Sequence, residues 1–249
     1  MSQVVLAIAR SCAILAIVVV VFAPLERLFP VRRQRLFHPG WAIDVGWYFL
    51  NSLTLALLLG PPAALLAFAV HAALPAAVTG AAAGLPLWAR MVLAVIVAEF
   101  GFYWGHRWSH EWPLLWRFHS VHHSATHLSF LANARAHPVD VVFTRLCGLV
   151  LLYATGLASA VGPHPSLLPA AIVFVSSLWS YFIHANLRWR FGRLEALIST
   201  PAFHHWHHRL AAHGAHNFAP MLPVLDRLFG TLHPPREWPA AYGVAAAQP

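Results

Sequence analysis

Apolar runs of about twenty residues, the length that crosses the ~30 Å hydrocarbon layer of a bilayer, constrain this chain more than any other feature. They fall at residues 4–23, 41–60, 85–104, 139–161 and 167–183. The chain is 59% hydrophobic and 10% charged, against roughly 25% charged for ordinary soluble domains. No polar linker or low-complexity stretch divides it, so residues 1–249 read as a single integral membrane domain. The expected fold is all-α, a polytopic membrane helical bundle of about five transmembrane helices. The first run differs from a signal peptide: its one positive charge is Arg10, and Ala23-Pro24-Leu25 is a poor cleavage site. Residues 63–78, after Pro61-Pro62, fit either a re-entrant segment or a longer second hairpin.

The net charge of +8 is distributed as in a membrane protein, which argues against a nucleic-acid partner. Arg27, Arg32, Arg33 and Arg35 follow the first run; Arg107, Arg117 and Arg135 follow the third; six more follow the fifth. Residues 61–89 carry no charged side chain. By the positive-inside bias the loops after runs one, three and five are cytoplasmic and the N-terminus lies outside. Most of these arginines need do no more than anchor to phospholipid headgroups.

Histidines supply the chemistry. His106 and His110 form one cluster, His119, His122 and His123 a second, and His204, His205, His207 and His208 a third. The last two share the pattern H-x-x-H-H. On a helix, residues three and four apart share a face, so each cluster can aim its imidazoles at a common point. Neutral imidazole is the commonest side-chain metal ligand. His106, His110, His119, His122, His123, His204, His207 and His208 make eight candidates, too many for one ion, so a two-metal centre is expected. The topology puts every cluster at the cytoplasmic end, as a histidine-rich di-metal cap. His205 points about 100° from His204 and would support a ligand instead. His38, His71, His164 and His233 read as loop or interface residues, and His127, His213 and His216 as off-motif.

The donor set leaves the metal open, because imidazole suits zinc, copper, iron and nickel. Cys12 and Cys147 sit inside apolar runs and form no C-x-x-C. The Glu-x-x-His pairs of soluble di-iron bundles are absent. Glu99, seven residues before His106, is a costly carboxylate within a span. It would either accept the outer N–H of a ligand histidine or pair with Arg145. Asp44 would snorkel to the interface. Trp104, Trp108, Trp112 and Trp116 recur every four residues, as an aromatic belt or as the wall of a lipid channel.

The stretch from Glu99-Phe100-Gly101-Phe102-Tyr103-Trp104-Gly105-His106-Arg107 to His110 carries a family likeness. So do Leu115-Trp116-Arg117-Phe118-His119, Val121-His122-His123-Ser124 and Arg135-Ala136-His137-Pro138. Phe182-Ile183-His184-Ala185-Asn186, Thr200-Pro201, and Asp226 with Phe229-Gly230-Thr231 complete it. Over residues 95–233 the chain resembles the fatty acid hydroxylase/sterol desaturase superfamily. The resemblance implies a non-haem di-iron oxygenase with two iron ions and O2 as co-substrate, hydroxylating or desaturating an unactivated C–H of a membrane lipid. That lipid would be sterol-like, fatty acyl or alkylglycerol. The resemblance adds His184 as a ninth ligand and His137 as a supporting residue. A separate electron donor (a ferredoxin, a cytochrome b5-like protein or a reductase) is implied, since the chain has no ferredoxin motif or G-x-G-x-x-G. The lysine-free, arginine-rich composition points to a bacterial inner membrane. Asn217-Phe218-Ala219 stands where Asn-Tyr-Gly is usual, and Leu225 where a tryptophan is common; both bear on the substrate. A histidine-rich transporter or sensor is the competing reading. A zinc hydrolase is weakened by the absence of His-Glu-x-x-His.

Overall fold

The computed structural model describes residues 2–158, 167–210, 215–234 and 237–245. His164 and His213 lie outside these residues, as does the side chain of His71. The described fold is all-helical: α1 (Gln3–Leu28), α2 (Trp41–Ala73), α3 (Ala76–Gly84), α4 (Leu87–Glu111), α5 (Pro113–His123), α6 (Pro138–Ala154), α7 (Leu167–His184), α8 (Pro201–His207) and α9 (Val224–Leu228). Two 3-10 turns, Phe130–Ala134 and Gly192–Ala196, complete it.

Three helices are long and apolar enough to cross a membrane: Gln3–Leu28, Trp41–Val70 and Leu87–Glu111. The most apolar stretch of α2 is 0% buried inside the protein and that of α1 11%. Apolar side chains left this open must be covered by lipid. The segment 63–78 lengthens the second helical element. Residues 63–73 continue α2, which runs unbroken through Pro61 and Pro62 for 33 residues, and α3 begins at Ala76. The fourth and fifth apolar runs give shorter helices, 17 residues in α6 and 18 in α7.

Proline placement builds the cap. Pro113, Pro138 and Pro201 each open a helix at its first turn, where the missing N–H is not needed and the fixed φ suits the helix. Pro113 also stops α4, so α5 folds back and brings the first two histidine clusters together. Thr200 caps α8 by accepting the N–H of Phe203.

Helices α4 and α6 meet along a seam of small residues. A Cβ at Gly101 would lie 2.7 Å from the Cα of Gly148, and one at Gly105 would lie 3.0 Å from Sγ of Cys147. Such close backbone approach is how helices associate in lipid, where no hydrophobic force drives them together. It sets the height of Asp140, on α6, against the histidines of α4 and α5. Before α2, Gly40 has φ +95, and a Cβ there would meet the guanidinium of Arg135 at 2.7 Å. Asp44 does not snorkel. It is fully buried, and its Oδ1 takes Nε of Arg135 at 2.6 Å; a carboxylate one turn into an apolar helix is far better placed against an arginine than in lipid.

Candidate metal centre

Nine histidines, all buried or half-buried, converge into two groups. His106, His110, His119, His123 and His207 form the first; His122, His184, His204 and His208 form the second. Within each group the ligand-capable atoms lie within 4.8 Å of one another. These are the nine positions expected from the sequence, but the clusters do not each make their own site. His106/His110, His119/His123 and His204/His208 are spaced four apart, and each pair stays together. The middle residue of each H-x-x-H-H crosses over, His122 to the second group and His207 to the first.

Five of the nine outer nitrogens are held by the protein. His106 Nδ1 lies 2.6 Å from the carbonyl of Phe218, and His207 Nδ1 lies 2.9 Å from that of His216. His122 Nδ1 is 3.0 Å from the carbonyl of Arg135, and His184 Nδ1 is 2.7 Å from that of Ser180. A carbonyl can only accept, so each Nδ1 carries the proton and each Nε2 presents a lone pair inward. His119 Nδ1 instead meets Oδ2 of buried Asp140 at 3.0 Å, and Oδ1 of Asp140 takes the hydroxyl of Ser109 at 3.2 Å. Among the described residues, Asp140 is the one carboxylate bonded to any of the nine. His204 Nδ1 and His208 Nδ1 are buried without a partner.

The inner nitrogens face each other closely. Nε2 atoms are 3.1 Å apart for His184 and His122, and 3.0 Å for His204 and His184. They are 3.1 Å apart for His208 and His204, 3.2 Å for His123 and His119, and 3.3 Å for His110 and His207. For His184 and His122, whose Nδ1 protons are both fixed by carbonyls, this sets lone pair against lone pair, which is repulsive unless a cation lies between. Nitrogens bound at about 2.1 Å to one ion would be about 3.0 Å apart at a right angle and about 3.4 Å at the tetrahedral angle. The residues therefore fit two metal ions. Burial, with the nearby His119, pushes His122 down to about 4. Burial, reinforced by neighbouring histidines, also drives His123, His204, His207 and His208 well below the ordinary imidazole value. At neutral pH these rings are uncharged and can coordinate.

The supporting residues differ from the sequence expectation. Glu99 meets no histidine and does not pair with Arg145. Its Oε2 accepts the N–H of Met221 at 2.8 Å. Seven helical residues put Glu99 and His106 on one face but about 10.5 Å apart along the axis, beyond the reach of either side chain. His137 stays out of both groups; its ring accepts the N–H of Val139 and caps α6. His205 bonds Tyr242 and the carbonyl of Ala185. Asp140 carried no sequence signal beyond an acidic residue near the start of an apolar run.

Several supports act through the loop at 216–221. Asp226 accepts the N–H groups of Phe218 and Ala219 at 2.7 and 2.9 Å, and Glu99 holds Met221. Asn217 takes a left-handed φ of 60, a conformation asparagine tolerates better than most residues. Its amide ties the carbonyls of Phe203 and His233. The loop thereby aims two carbonyls at His106 and His207. Asp44 works similarly at one remove, fixing Arg135, whose carbonyl orients His122. Trp116 lies 5.2 Å from the ring of His110 and 5.6 Å from that of His123. Phe218 lies 5.3 Å from His110. Trp116 is thus a wall of the centre, whereas Trp104, Trp108 and Trp112 stack along the outside of α4.

Fold and site together define a membrane-embedded helical protein built around a two-group histidine centre. The fatty acid hydroxylase family matches residues 91–231, more than half of the chain, and the chain belongs to that family. Similar proteins include an ornithine lipid hydroxylase, OlsE, from Rhizobium tropici, 33% identical over 153 residues, covering 61% of this chain and 44% of that protein. An alkylglycerol monooxygenase from Danio rerio is 33% identical over 143 residues, 57% of this chain and 30% of its own length. Methylsterol monooxygenase 2-2 of Arabidopsis thaliana is 29% identical over 163 residues, 59% of this chain and 55% of its own. The chain therefore spans only about a third to a half of the length of these relatives. No solved structure matches it.

Proposed function

We propose that this protein is an O2-dependent lipid hydroxylase whose nine histidines hold two iron ions. The observation that carries this reading is the pair of compact, buried imidazole groups, four of whose rings turn a proton-bearing Nδ1 outward to a backbone carbonyl. Ligands of a transporter would be strung along a path, whereas these gather at one depth. Iron, when bound, would supply the reduction of dioxygen and the insertion of one oxygen atom into a C–H bond. The balance is R–H + O2 + 2 e− + 2 H+ → R–OH + H2O, with both electrons from a separate donor.

The chain's own residues do the rest. Asp140 and the carbonyls of Arg135, Ser180, His216 and Phe218 fix ring orientation and tautomer, which keeps ligand basicity high. Trp116 and Phe218 give the first group an apolar flank against which an aliphatic chain can lie with water excluded. The relatives' names, ornithine lipid, alkylglycerol and methylsterol, have a membrane-dissolved lipid in common and favour hydroxylation over desaturation. We place the centre at the cytoplasmic side of a bacterial inner membrane, with α6 and α7 completing five crossings and the N-terminus outside. Arginine bias supports this orientation.

The deciding experiment is lipid mass spectrometry of cells with and without the gene, grown under labelled dioxygen, beside metal analysis of anaerobically purified protein. A lipid gaining one labelled oxygen, and two irons per chain, are expected. Stoichiometric zinc with no oxygen-dependent lipid change would sink the reading.

A further inference from the structure

A cleft of about 330 Å³ is separated from the histidine centre by Tyr242 and the residues behind it. It lies between the stretch that follows α1, the turn that follows α5, and Tyr242. Its charged lining is entirely cationic: Arg32, Arg33 and Arg35, with His38 and His127 alongside and no carboxylate. Arg33 and Arg35 are exposed, and among the described residues the ion pairs all lie elsewhere. Arg32 is fixed in place. Its guanidinium sits 4.6 Å from the centroid of the Tyr242 ring and bonds the carbonyl of Pro239, and its N–H donates to Asn186.

Behind the Tyr242 wall stands a fully buried histidine that belongs to neither metal group. The hydroxyl of Tyr242 lies 2.8 Å from Nδ1 of His205, and Nε2 of His205 lies 3.0 Å from the carbonyl of Ala185. His205 adjoins His204 in the chain, and Ala185 adjoins His184. Two hydrogen bonds thus lead from the cleft wall to the backbone of two members of the second metal group.

We infer that this cleft docks a small acidic one-electron carrier protein, and that Tyr242 and His205 form the electron's entry to the centre. The inference rests on the hydroxylase reading, which requires two external electrons. Each docked carrier is oxidised by one electron and the metal centre gains it, so two dockings serve one turnover and no bond is made or broken at the cleft. Unpaired arginines around a concavity raise the local concentration of an acidic partner and speed its encounter in a salt-dependent way. An anionic lipid headgroup would suit the arginines equally. It would give no role to the buried pair that ties this wall to the metal ligands.

The test uses the full protein in phosphatidylcholine nanodiscs with a plant-type [2Fe–2S] ferredoxin as probe. Wild type should bind ferredoxin at low salt and lose it as salt rises. R33E/R35E should weaken binding at least about tenfold and R33Q/R35Q by less, with metal content unchanged in both. Tyr242→Phe should slow the oxidation of pre-reduced ferredoxin in stopped flow by about tenfold, read at saturating ferredoxin so that any change in binding does not enter the rate. No ferredoxin binding to wild type, or binding that R33E/R35E leaves intact, overturns the docking site. Arginine variants that lose only phosphatidylglycerol binding would reassign the cleft to lipid. A wild-type oxidation rate in Tyr242→Phe overturns the entry path. Ferredoxin binding is read without substrate, so failure of lipid hydroxylation leaves this outcome separate.

Discussion

Asp140 offers the sharpest perturbation, because among the described residues it alone sets a carboxylate against any of the nine histidines. Two divalent ions would bring four positive charges, and metal-binding imidazoles, which coordinate in the neutral form, balance none of them. Its two oxygens are both used, Oδ2 by His119 and Oδ1 by Ser109. Asp140→Asn can keep both contacts: the amide oxygen accepts from His119, and the amide N–H2 turns to the serine hydroxyl, which can accept. This variant removes charge and little else. Asp140→Ala also strands the His119 N–H in a dry site, at a cost of about 1–3 kcal/mol. Loss of such a partner usually weakens metal binding about 10- to 100-fold. We expect asparagine near the lower end and alanine near the upper, because alanine adds the orphaned donor to the lost charge. Competition against a chelator of known affinity, with both variants in one detergent, measures it. Wild-type affinity in both would refute the argument that this carboxylate orients and balances the centre; equal losses would mean that charge alone matters.

Gly101→Ala would force a methyl group against the backbone carbonyl of Cys147 and to 2.7 Å from the Cα of Gly148, and should lower stability by about 1–3 kcal/mol, read as a drop in Tm. Gly105→Ala, whose nearest atom is a side-chain sulfur, should cost less. Asp226→Asn can keep an oxygen toward Phe218 and Thr231 but turns its N–H2 toward the backbone N–H of Ala219, so about 1–3 kcal/mol should be lost. The 216–221 loop should become protease-sensitive, and intact loop protection would count against the clamp. Chelation should lower Tm by several degrees, because bound metal adds its binding free energy to the folded state; an unchanged Tm would deny that the nine rings hold metal.

The nine clustered histidines were legible because helical spacing marks eight of them and the family pattern adds His184. Their partition was legible in principle: residues four apart differ by about 40° around a helix and residues three apart by about 60° the other way. The four-apart pairs stay together and His122 and His207 cross over, which needs only that second contrast. Glu99 misled because a shared face says nothing about height. Asp140, Asp44 and the carbonyls of Phe218 and His216 were hidden for another reason. Their partners lie 21 to 112 residues away, apart from the nine-residue step of His216, and backbone carbonyls leave no mark in a side-chain pattern. The continuous α2 was obscured by Pro61 and Pro62, which ordinarily end helices.

The length of α2 has a consequence for the membrane itself. Its apolar stretch, Trp41–Val70, has 30 residues, about 45 Å of helix, against a hydrocarbon layer of about 30 Å. Tilt alone would have to reach about 48°, beyond the range of roughly 0–40° that spanning helices adopt. The excess must therefore be shared between inclination and extension into the headgroup zone. Pro61 and Pro62 withhold two backbone donors about two-thirds of the way along this stretch. Because α2 also carries Asp44, and through it Arg135 and His122, its inclination is geared to the metal centre. Bilayer thickness would then help set how far down a lipid chain the oxidant reaches, so that the position oxidised becomes a property of the membrane as well as of the protein.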